Sequence, residues 1–410
     1  MTQPILVVGV GPEGSDGLMP AVRERIAQAD QLWGGARLLS AWPDHAGEKV
    51  VIGADIDRQV QQLRQRGQAR VVVLASGDPG FHGIAGTLLR HFPAGELEII
   101  PGISALQWAF ARAGLAWNDA IFTSAHARPL AEVVGWAKRV PRLGILTDPQ
   151  HTPGLIAQAL LQAGVDDSRA IVAENLGLPG ERLIDTRLSA LSGQDFAPLN
   201  VFLVIQDDPD RGGWRPKPVF SPRPDEAYAH RQGLITKADV RALSLVRLAL
   251  RDTDTVWDIG AGSGAMSIEM AELAWRGQVY AVEQSAENLA YIHENLHRFG
   301  VLNVTAVAGH APDALPGLPR PQAVFIGGTG GQMENILTAV GRAAQPGCRV
   351  VVNLATLDNL AGVLQHMRAL GWSPQVMQTG LAQGTDIAGL TRLVPLNPVF
   401  IVWGEAGPGK

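Results

Sequence analysis

A glycine-rich turn in the second half of the chain has the composition of a nucleotide-binding loop. Gly260, Gly262 and Gly264 lie between a short apolar run and a longer helix-like run. Glycine is needed where the backbone turns sharply or where a ligand must lie against it, and free N–H groups at a helix start favour such a ligand. Asp258 precedes the turn, and Glu283 ends the next apolar run, where a carboxylate can accept hydrogen bonds from both hydroxyls of a ribose. These residues predict a site for the nucleoside part of a cofactor.

Two cofactors are compatible with this loop. Gly260, Gly262 and Ala265 satisfy the looser dinucleotide fingerprint, so NAD is one alternative. The full pattern Asp-x-Gly-x-Gly-x-Gly is typical of class I methyltransferases that use S-adenosylmethionine. A final strand predicted after Asn397 and Pro398 resembles the antiparallel strand that closes the methyltransferase sheet. We therefore favour S-adenosylmethionine over NAD.

A second glycine cluster lies near the start of the chain. Gly9, Gly11 and Gly14 again form a dinucleotide fingerprint. Pro12 lacks the backbone N–H that a pyrophosphate would need, and no clear strand ending in an acidic residue follows at the expected distance. The cluster alone does not predict NAD, and its function depends on the other motifs of this half.

Both clusters need parallel strands to position them. Short runs of β-branched residues alternate with longer helix-like stretches, a pattern typical of parallel α/β sheets. Between Ser285 and Phe299, for example, apolar residues recur at helical spacing, and Ser285 is expected to cap the helix. The predicted strands are 5–10, 70–75, 97–100, 143–147, 201–205, 256–259, 278–282, 304–307, 323–326, 349–353 and 399–403.

A proline-rich stretch separates the two halves. Five prolines between Pro209 and Pro224 interrupt any helix or central strand. We interpret 209–230 as an interdomain linker, with one domain over residues 1–208 and another over residues 231–410. The length of 410 residues suggests two or three domains at about 100–200 residues each.

Composition excludes several classes of protein. A net charge of −5 gives no basic surplus for binding nucleic acid. The single cysteine, Cys348, excludes an intrachain disulfide and a thiolate metal site, and it is expected to be buried. The histidines form no metal-ligand pattern, so we expect no metal. No leader or membrane-spanning run is found, so we expect no membrane contact and a reducing, cytoplasmic location.

The second half resembles a specific family. Segments 233–243, 323–331 and 380–399, with the glycine loop, are similar to the decarboxylating precorrin methyltransferases of the cobalamin pathway. The resemblance implies that S-adenosylmethionine contacts Thr236, Gly260, Ala261, Gly262, Ser263, Gly264, Glu283 and Ala311. It implies that the substrate ring is bordered by Gly327, Gly328 and Asn353. Family members usually carry an acidic residue facing the adenine where this chain has His310, so this chain departs from the family pattern at that contact.

The first half is similar to the tetrapyrrole methyltransferases of class III. Motifs 75–83, 100–106, 146–149 and 173–177 occur in the order and spacing of that family. The resemblance covers about residues 4–206 and implies two α/β lobes, with S-adenosylmethionine folded into the cleft between them. It implies cofactor contacts from Gly77, Asp78, Pro79, Phe81, Ile103, Ser104 and Ala105. It implies substrate contacts from Gly9, Gly11 and Pro12.

Together the resemblances imply an α/β enzyme of corrin biosynthesis, a class III fold followed by a class I Rossmann-like fold. Such an enzyme uses two S-adenosylmethionine sites per chain to methylate a precorrin at carbons 5 and 15. It also removes carbon dioxide from the ring C acetate, giving precorrin-8. The alternatives are a bifunctional NAD-dependent oxidoreductase with two nucleotide-binding folds and a non-catalytic tetrapyrrole carrier.

Several roles stay open at this level. No residue is assigned as a catalytic acid or base. Arg241 or Lys237 would suit substrate carboxylates, although exposed charge on a helix is the commoner role for such residues. Relatives of both halves form homo-oligomers, so we expect an oligomer.

Overall fold

A computed structural model of the chain describes residues 3–53, 55–126, 128–206, 222–231 and 235–406. Its contacts divide the chain into two compact units. Unit 1 comprises Met1–Arg128, Val140–Gln158 and Asp166–Arg215, and unit 2 comprises Pro129–Arg139, Ala159–Val165 and Pro216–Lys410. Most of the predicted linker lies outside the described residues, and the domain boundaries stay predictions.

Unit 1 contains two five-stranded sheets. Their strands are β1 Ile5–Val10, β2 Gln31–Gly34, β3 Glu48–Val51, β4 Val71–Ser76, β5 Leu97–Ile100, β6 Ala120–Ser124, β7 Arg142–Leu146, β8 Arg169–Glu174, β9 Arg182–Arg187 and β10 Asn200–Ile205. The first sheet has the order β3-β2-β4-β1-β5 and is parallel throughout. The second has the order β6-β7-β10-β8-β9, with β10 antiparallel to both of its neighbours.

The helices that precede β8 connect these strands. They are α1 Pro20–Ala27, α2 Ala36–Leu39, α3 Ile56–Arg64, α4 Ile84–His91, α5 Ala105–Arg112, α6 Leu130–Ala137 and α7 Pro153–Gln162.

The first sheet is buried on both faces. Ile5 and Val7 of β1 belong to one apolar cluster, whereas Leu6 and Val8 belong to a second cluster. Successive strand residues point to opposite faces, so a strand covered on both sides is apolar without interruption. Gly9 follows this run, which places the first glycine cluster at the carboxyl edge of a parallel sheet, where ligands bind in such folds.

Unit 2 contains a seven-stranded sheet and a separate hairpin. The sheet is formed by β11 Thr255–Ile259, β12 Gln278–Glu283, β13 Val304–Ala308, β14 Ala323–Ile326, β15 Cys348–Leu354, β16 Gln375–Thr379 and β19 Val399–Ala406. The hairpin is formed by β17 Ala382–Ile387 and β18 Leu390–Pro395. Helices α8 Ala238–Leu248, α9 Ala265–Leu273, α10 Ala286–Phe299, α11 Met333–Ala343 and α12 Leu357–Ala369 belong to this part of the chain.

The large sheet has a topological switch point. Its order is β13-β12-β11-β14-β15-β19-β16, so the chain leaves β11 first towards one edge and later towards the other. Ligands of open α/β sheets bind at the carboxyl ends of the strands at such a point. The glycine turn follows β11 directly. The predicted closing strand is confirmed, because β19 is antiparallel to both β15 and β16.

Two local predictions are also confirmed. Helix α10 begins after Ser285, whose side chain accepts a hydrogen bond from the backbone N–H of Asn288. Cys348 is fully buried. Across the described residues, none of the helices combines the length and hydrophobicity needed to cross a membrane. The same residues contain no cluster of three or more His, Cys, Asp or Glu side chains placed to hold a metal ion.

Candidate functional site

The turn after β11 is shaped by two glycines with different surroundings. Gly260 has a φ of +72°, and a Cβ there would lie 2.2 Å from the carbonyl oxygen of Gly328. Any side chain at this position would collide with the loop after β14. Gly262 has a φ of +57°, but a Cβ there would meet nothing within 4 Å. The turn is therefore closely packed at Gly260 and open at Gly262, where a ligand can approach the backbone.

Glu283 is held in a fixed orientation beside this turn. The residue is buried at the end of β12. Its carboxylate accepts hydrogen bonds from the backbone N–H groups of Gly262 and Ser285, both at 2.8 Å. A carboxylate has about four acceptor sites. Glu283 therefore has acceptor capacity left for ligand hydroxyls, and its role towards a ribose stays a prediction.

Asp258 is a buried carboxyl group on the same side of the sheet. Its Oδ2 accepts a hydrogen bond from the hydroxyl of Ser267, whereas its Oδ1 has no hydrogen-bond partner among the described residues. Burial raises the pKa of Asp258 to about 7, although the Ser267 hydrogen bond acts in the opposite direction. A buried acceptor without a partner is costly unless a ligand satisfies it. The group therefore fits a hydrogen-bond donor or a cation in the adjacent space.

These residues enclose a cavity of about 340 Å³ in unit 2. Ligand pockets are commonly about 300–1,000 Å³ in size. The predicted residues that line it are Thr236, Gly260, Ala261, Gly262, Ser263, Glu283, Ala311, Gly327 and Gly328. Gly264 is not among the lining residues; it is the N-cap residue that directly precedes α9, with a φ of +78°. Asn353 does not line the cavity either, because its amide and the Ser244 hydroxyl bond each other at 2.9 and 3.1 Å.

His310 lies in the wall of this cavity together with Gln284 and Gly330. A Cβ at Gly330 would lie 3.1 Å from His310 Nε2. The imidazole is half-buried. The position at which this chain departs from the family pattern is therefore a cavity-lining position.

Arg241 is buried, contrary to both roles considered from the sequence. Its side chain is 0% exposed and forms ion pairs with Glu269 at 3.0 Å and Asp225 at 2.8 Å. Its guanidinium also donates to the carbonyl oxygen of Thr236 at 2.6 Å. An exposed position on α8 and direct contact with substrate are both wrong, because these partners enclose the guanidinium. The hydrogen bond to Thr236 connects a buried ionic cluster to a cavity-lining residue.

In unit 1, three chain segments meet at the carboxyl edge of the first sheet. A Cβ at Gly9 would lie 2.5 Å from both the nitrogen of Gly102 and the carbonyl oxygen of Gly77. Gly77 has a φ of +67°, and its N–H donates to the carbonyl oxygen of Val10 at 2.8 Å. The close approach excludes larger residues at Gly9 and Gly102. It also brings three of the predicted motifs together.

A cleft of about 400 Å³ lies beside these glycines and receives residues from both sheets of unit 1. The predicted residues that line it are Gly11, Pro12, Gly77, Ile103 and Ala105. The predicted residues that are not among its lining are Gly9, Asp78, Pro79, Phe81 and Ser104.

The residues outside this lining shape the loops around it. Asp78 Oδ1 accepts a hydrogen bond from the N–H of Gly80 at 2.7 Å. Ser104 caps α5 in a capping box with Gln107. Phe81 packs edge-on against Phe122 at a centroid distance of 5.7 Å. These contacts fix the loops that border the cleft.

Sequence reasoning missed several residues of this cleft. Arg37 of α2 is the one lining residue, among those described, whose side chain is charged at neutral pH. Thr147 and Asn200 join the two neighbouring strands β7 and β10 through a side-chain hydrogen bond of 2.7 Å. Arg37 lies on a four-residue helix outside every motif. Its only sequence signal is its place just after a buried strand.

Both units have architectures of methyltransferases that use S-adenosylmethionine. Unit 2 has the class I sheet with its antiparallel closing strand, and unit 1 has the two-sheet arrangement of class III. Residues 226–404 match the family described as "Precorrin methyltransferase domain". Residues 4–192 match the family described as "Tetrapyrrole (Corrin/Porphyrin) Methylases".

Curated relatives cover nearly the whole chain. A Sinorhizobium sp protein named "Precorrin-6Y C(5,15)-methyltransferase [decarboxylating]" is 37% identical over 397 residues, which are 96% of this chain and 94% of the relative. The chain therefore belongs to the family of decarboxylating precorrin-6Y C(5,15)-methyltransferases. Membership in this family supports S-adenosylmethionine, and not NAD, as the cofactor.

Two other relatives correspond to about half of the chain. A Salmonella typhimurium protein named "Cobalt-precorrin-7 C(5)-methyltransferase" is 38% identical and covers 50% of this chain and 99% of the relative. A Pyrobaculum calidifontis protein named "Probable cobalt-precorrin-6B C(15)-methyltransferase (decarboxylating)" is 34% identical and covers 45% of this chain and 95% of the relative.

Proposed function

We propose that this chain methylates precorrin-6Y at carbons 5 and 15 and removes carbon dioxide from the ring C acetate, giving precorrin-8. The observation that carries the proposal is a ligand-sized cavity at the carboxyl edge of a sheet in each of two unrelated methyltransferase folds. In this proposal each cavity binds one molecule of S-adenosylmethionine, so the chain has two cofactor sites.

The two methylations are assigned to different sites. Unit 2 acts at carbon 15 and carries out the decarboxylation, and unit 1 acts at carbon 5. Support comes from relatives of about half this chain's length, whose names each state one of these two activities. A fusion of two such enzymes accounts for the near full-length relative whose name carries both.

The residues of unit 2 suit a role in holding and orienting the cofactor. S-adenosylmethionine supplies a methyl group already activated by its sulfonium. The Glu283 carboxylate, held by Gly262 and Ser285, accepts the ribose hydroxyls. The open backbone at Gly262 admits the cofactor, and the unpartnered Oδ1 of Asp258 accepts from a cationic or N–H group. Transfer then depends on alignment of the ring carbon, the methyl group and the sulfur, which is catalysis by proximity and orientation.

Decarboxylation can draw on the substrate's own ring. The bond between the acetate methylene and its carboxylate breaks, carbon dioxide leaves, and the electron pair enters the conjugated macrocycle. A proton then adds to the methylene carbon, which becomes a ring methyl group. The macrocycle is the electron sink, so the chain has to hold the acetate carboxylate out of the ring plane rather than supply a second cofactor.

A full-length Gly262→Arg variant tests the division of labour. The new side chain fills the open space of the unit 2 cavity, so we expect methylation at carbon 15 and release of carbon dioxide to stop. Methylation at carbon 5 should continue when a substrate already methylated at carbon 15 is supplied. Product mass and trapped carbon dioxide measure both steps. Loss of carbon 5 methylation alone, with decarboxylation retained, would reverse the assignment.

Ala105→Arg is the matched variant for unit 1. It places the same arginine side chain in the cleft of unit 1. We therefore expect methylation at carbon 5 to stop, while methylation at carbon 15 and release of carbon dioxide continue. If the chain is instead a non-catalytic tetrapyrrole carrier, it binds precorrin but transfers no labelled methyl group from S-adenosylmethionine, in the parent chain as in both variants.

The homo-oligomeric state, the cytoplasmic location and the absence of nucleic-acid binding stay predictions from the sequence.

A further inference from the structure

The cleft of unit 1 contains a cation without an acidic partner. Several described arginines of unit 1 form ion pairs with carboxylates, among them Arg25, Arg66, Arg70, Arg112, Arg142, Arg169 and Arg182. Arg37 has no such partner within the described part of the chain. Its Nη2 donates a hydrogen bond to the hydroxyl of Ser76 at 3.3 Å. Most donors of its guanidinium are therefore left for solvent or a ligand.

The position of Arg37 is set by the fold. It lies in α2, which follows β2 at the carboxyl edge of the first sheet. Ser76 ends β4 and precedes Gly77, and both line the same cleft as Arg37. The hydrogen bond to Ser76 places the exposed guanidinium near Gly77, on the edge where the three glycine segments meet. Because α2 has only four residues, its own dipole contributes little to this site.

The other described residues that line the cleft carry no formal charge. Its remaining lining residues are apolar or neutral side chains and backbone, including Leu38, Trp108, Leu146 and Leu199. A flat ring can pack on such a surface, and a carboxylate on its rim can pair with the one cation in the described lining. A guanidinium can bind a carboxylate through two parallel hydrogen bonds, which fixes orientation as well as position.

We propose that Arg37 binds an acetate or propionate carboxylate of the tetrapyrrole substrate and thereby sets which ring carbon faces the methyl donor in unit 1. This inference rests on the proposed function of that unit. It assigns Arg37 to substrate and not to cofactor. A change at Arg37 should therefore alter KM for the precorrin while leaving the affinity for S-adenosylmethionine unchanged.

Arg37→Gln in the full chain tests the proposal, with Arg90→Gln as the matched control. Arg90 also bonds a hydroxyl, that of Thr87 at 3.2 Å, but does not line the cleft. We expect Arg37→Gln to raise KM for the carbon 5 step about tenfold, the loss of one charge-assisted carboxylate pair. The KM of Arg37→Lys should lie between those of Arg37→Gln and the parent chain, because lysine keeps the charge but cannot form two parallel hydrogen bonds.

The outcomes separate this inference from the function on which it rests. If the parent chain transfers no methyl group to carbon 5, the proposed function of unit 1 fails. If the parent is active and Arg37→Gln has an unchanged KM, the role of Arg37 is overturned and the function stands. Uroporphyrin, an octacarboxylate ring, provides a second readout by fluorescence titration. Its binding should weaken in Arg37→Gln and become less sensitive to salt, with no such change in Arg90→Gln.

Discussion

Asp258 and Glu283 line one cavity, but their carboxylates are satisfied differently. Both oxygens of Glu283 accept backbone hydrogen bonds, whereas one oxygen of Asp258 accepts none within the described residues. Full burial makes the charged form of Asp258 costly, which is why its pKa rises. A bound cation would reverse this effect. At the scale of single residues, the site therefore contains one carboxylate with a fixed orientation, Glu283, and one carboxyl group whose charge depends on the ligand, Asp258.

The stability of unit 2 should respond to the titration of Asp258. Its folded pKa of about 7 lies above the ordinary value near 4, so the folded state binds more protons between these values. Its contribution to stability is therefore lost as pH rises from about 4 through about 7. Asp258→Asn should remove this loss. Hydrogen exchange of peptides from β11 and α9, measured at pH 5 and pH 8, checks the difference.

Exposed Asp313 provides the control for this experiment. Asp313→Asn should follow the parent chain at both pH values. Equal pH dependence of the parent and of Asp258→Asn would show that another group is responsible.

At the scale of elements, eleven of the nineteen strands that the structure describes were predicted, including the edge strands β5 and β13, whereas the buried interior strands β2 and β8 were missed. Each of the eleven predicted strands is present, with ends displaced by at most three residues. The edge strands β3 and β9 were missed because most of their residues are exposed or half-buried, so they lack an unbroken apolar run. The exposed hairpin β17–β18 was missed for the same reason.

The residues that line the cavities were likewise only partly predictable from the sequence. Glycine turns at strand ends carry a recognisable signal, because backbone conformation restricts the residue type there. The unit 2 cavity is also lined by Ile235, Gln284 and Gly330. They lie in loops, where the residue type does not indicate which distant segments of the chain will be neighbours. Burial of Arg241 was unpredictable for a related reason, since its partners come from two other segments. Pattern and spacing report local structure, and these contacts depend on the packing of separate elements.

The ionic cluster around Arg241 should matter for cofactor binding as well as for stability. Arg241→Met leaves Glu269 and Asp225 without a buried cation, a change that typically costs about 3–5 kcal/mol. It also releases the carbonyl of Thr236 in the cavity wall. We expect a lower melting temperature for unit 2 and weaker binding of S-adenosylmethionine at this site, measured by calorimetry.

Arg349→Met is the matched control. Arg349 pairs with the buried Asp254, which precedes β11, so this pair lies at the opposite end of the sheet from the cavity. Its loss should lower stability with little effect on cofactor affinity. Equal loss of affinity in both variants would mean that Arg241 acts only through general stability.

At the scale of the whole chain, two cavities in two different folds predict a simple stoichiometry. Equilibrium dialysis should find about two molecules of S-adenosylmethionine per chain and no competition by NAD. The Gly262→Arg variant should retain about one, because its side chain blocks only the unit 2 cavity. A parent stoichiometry near one, unchanged in the variant, would remove the unit 2 cavity from consideration as a cofactor site.

The burial of Arg241 also determines where the second catalytic domain can be cut. Its guanidinium needs the Asp225 carboxylate and donates to the backbone carbonyl of Arg223, both of which precede residue 231. Tyr228, which donates to Glu269 at 3.0 Å, precedes it too. A fragment that begins at residue 231 would bury the Arg241 guanidinium without the Asp225 carboxylate and the Arg223 carbonyl. The shortest fragment able to fold alone should therefore begin at or before Pro222, so the proline-rich stretch contributes its last residues to the core that it introduces.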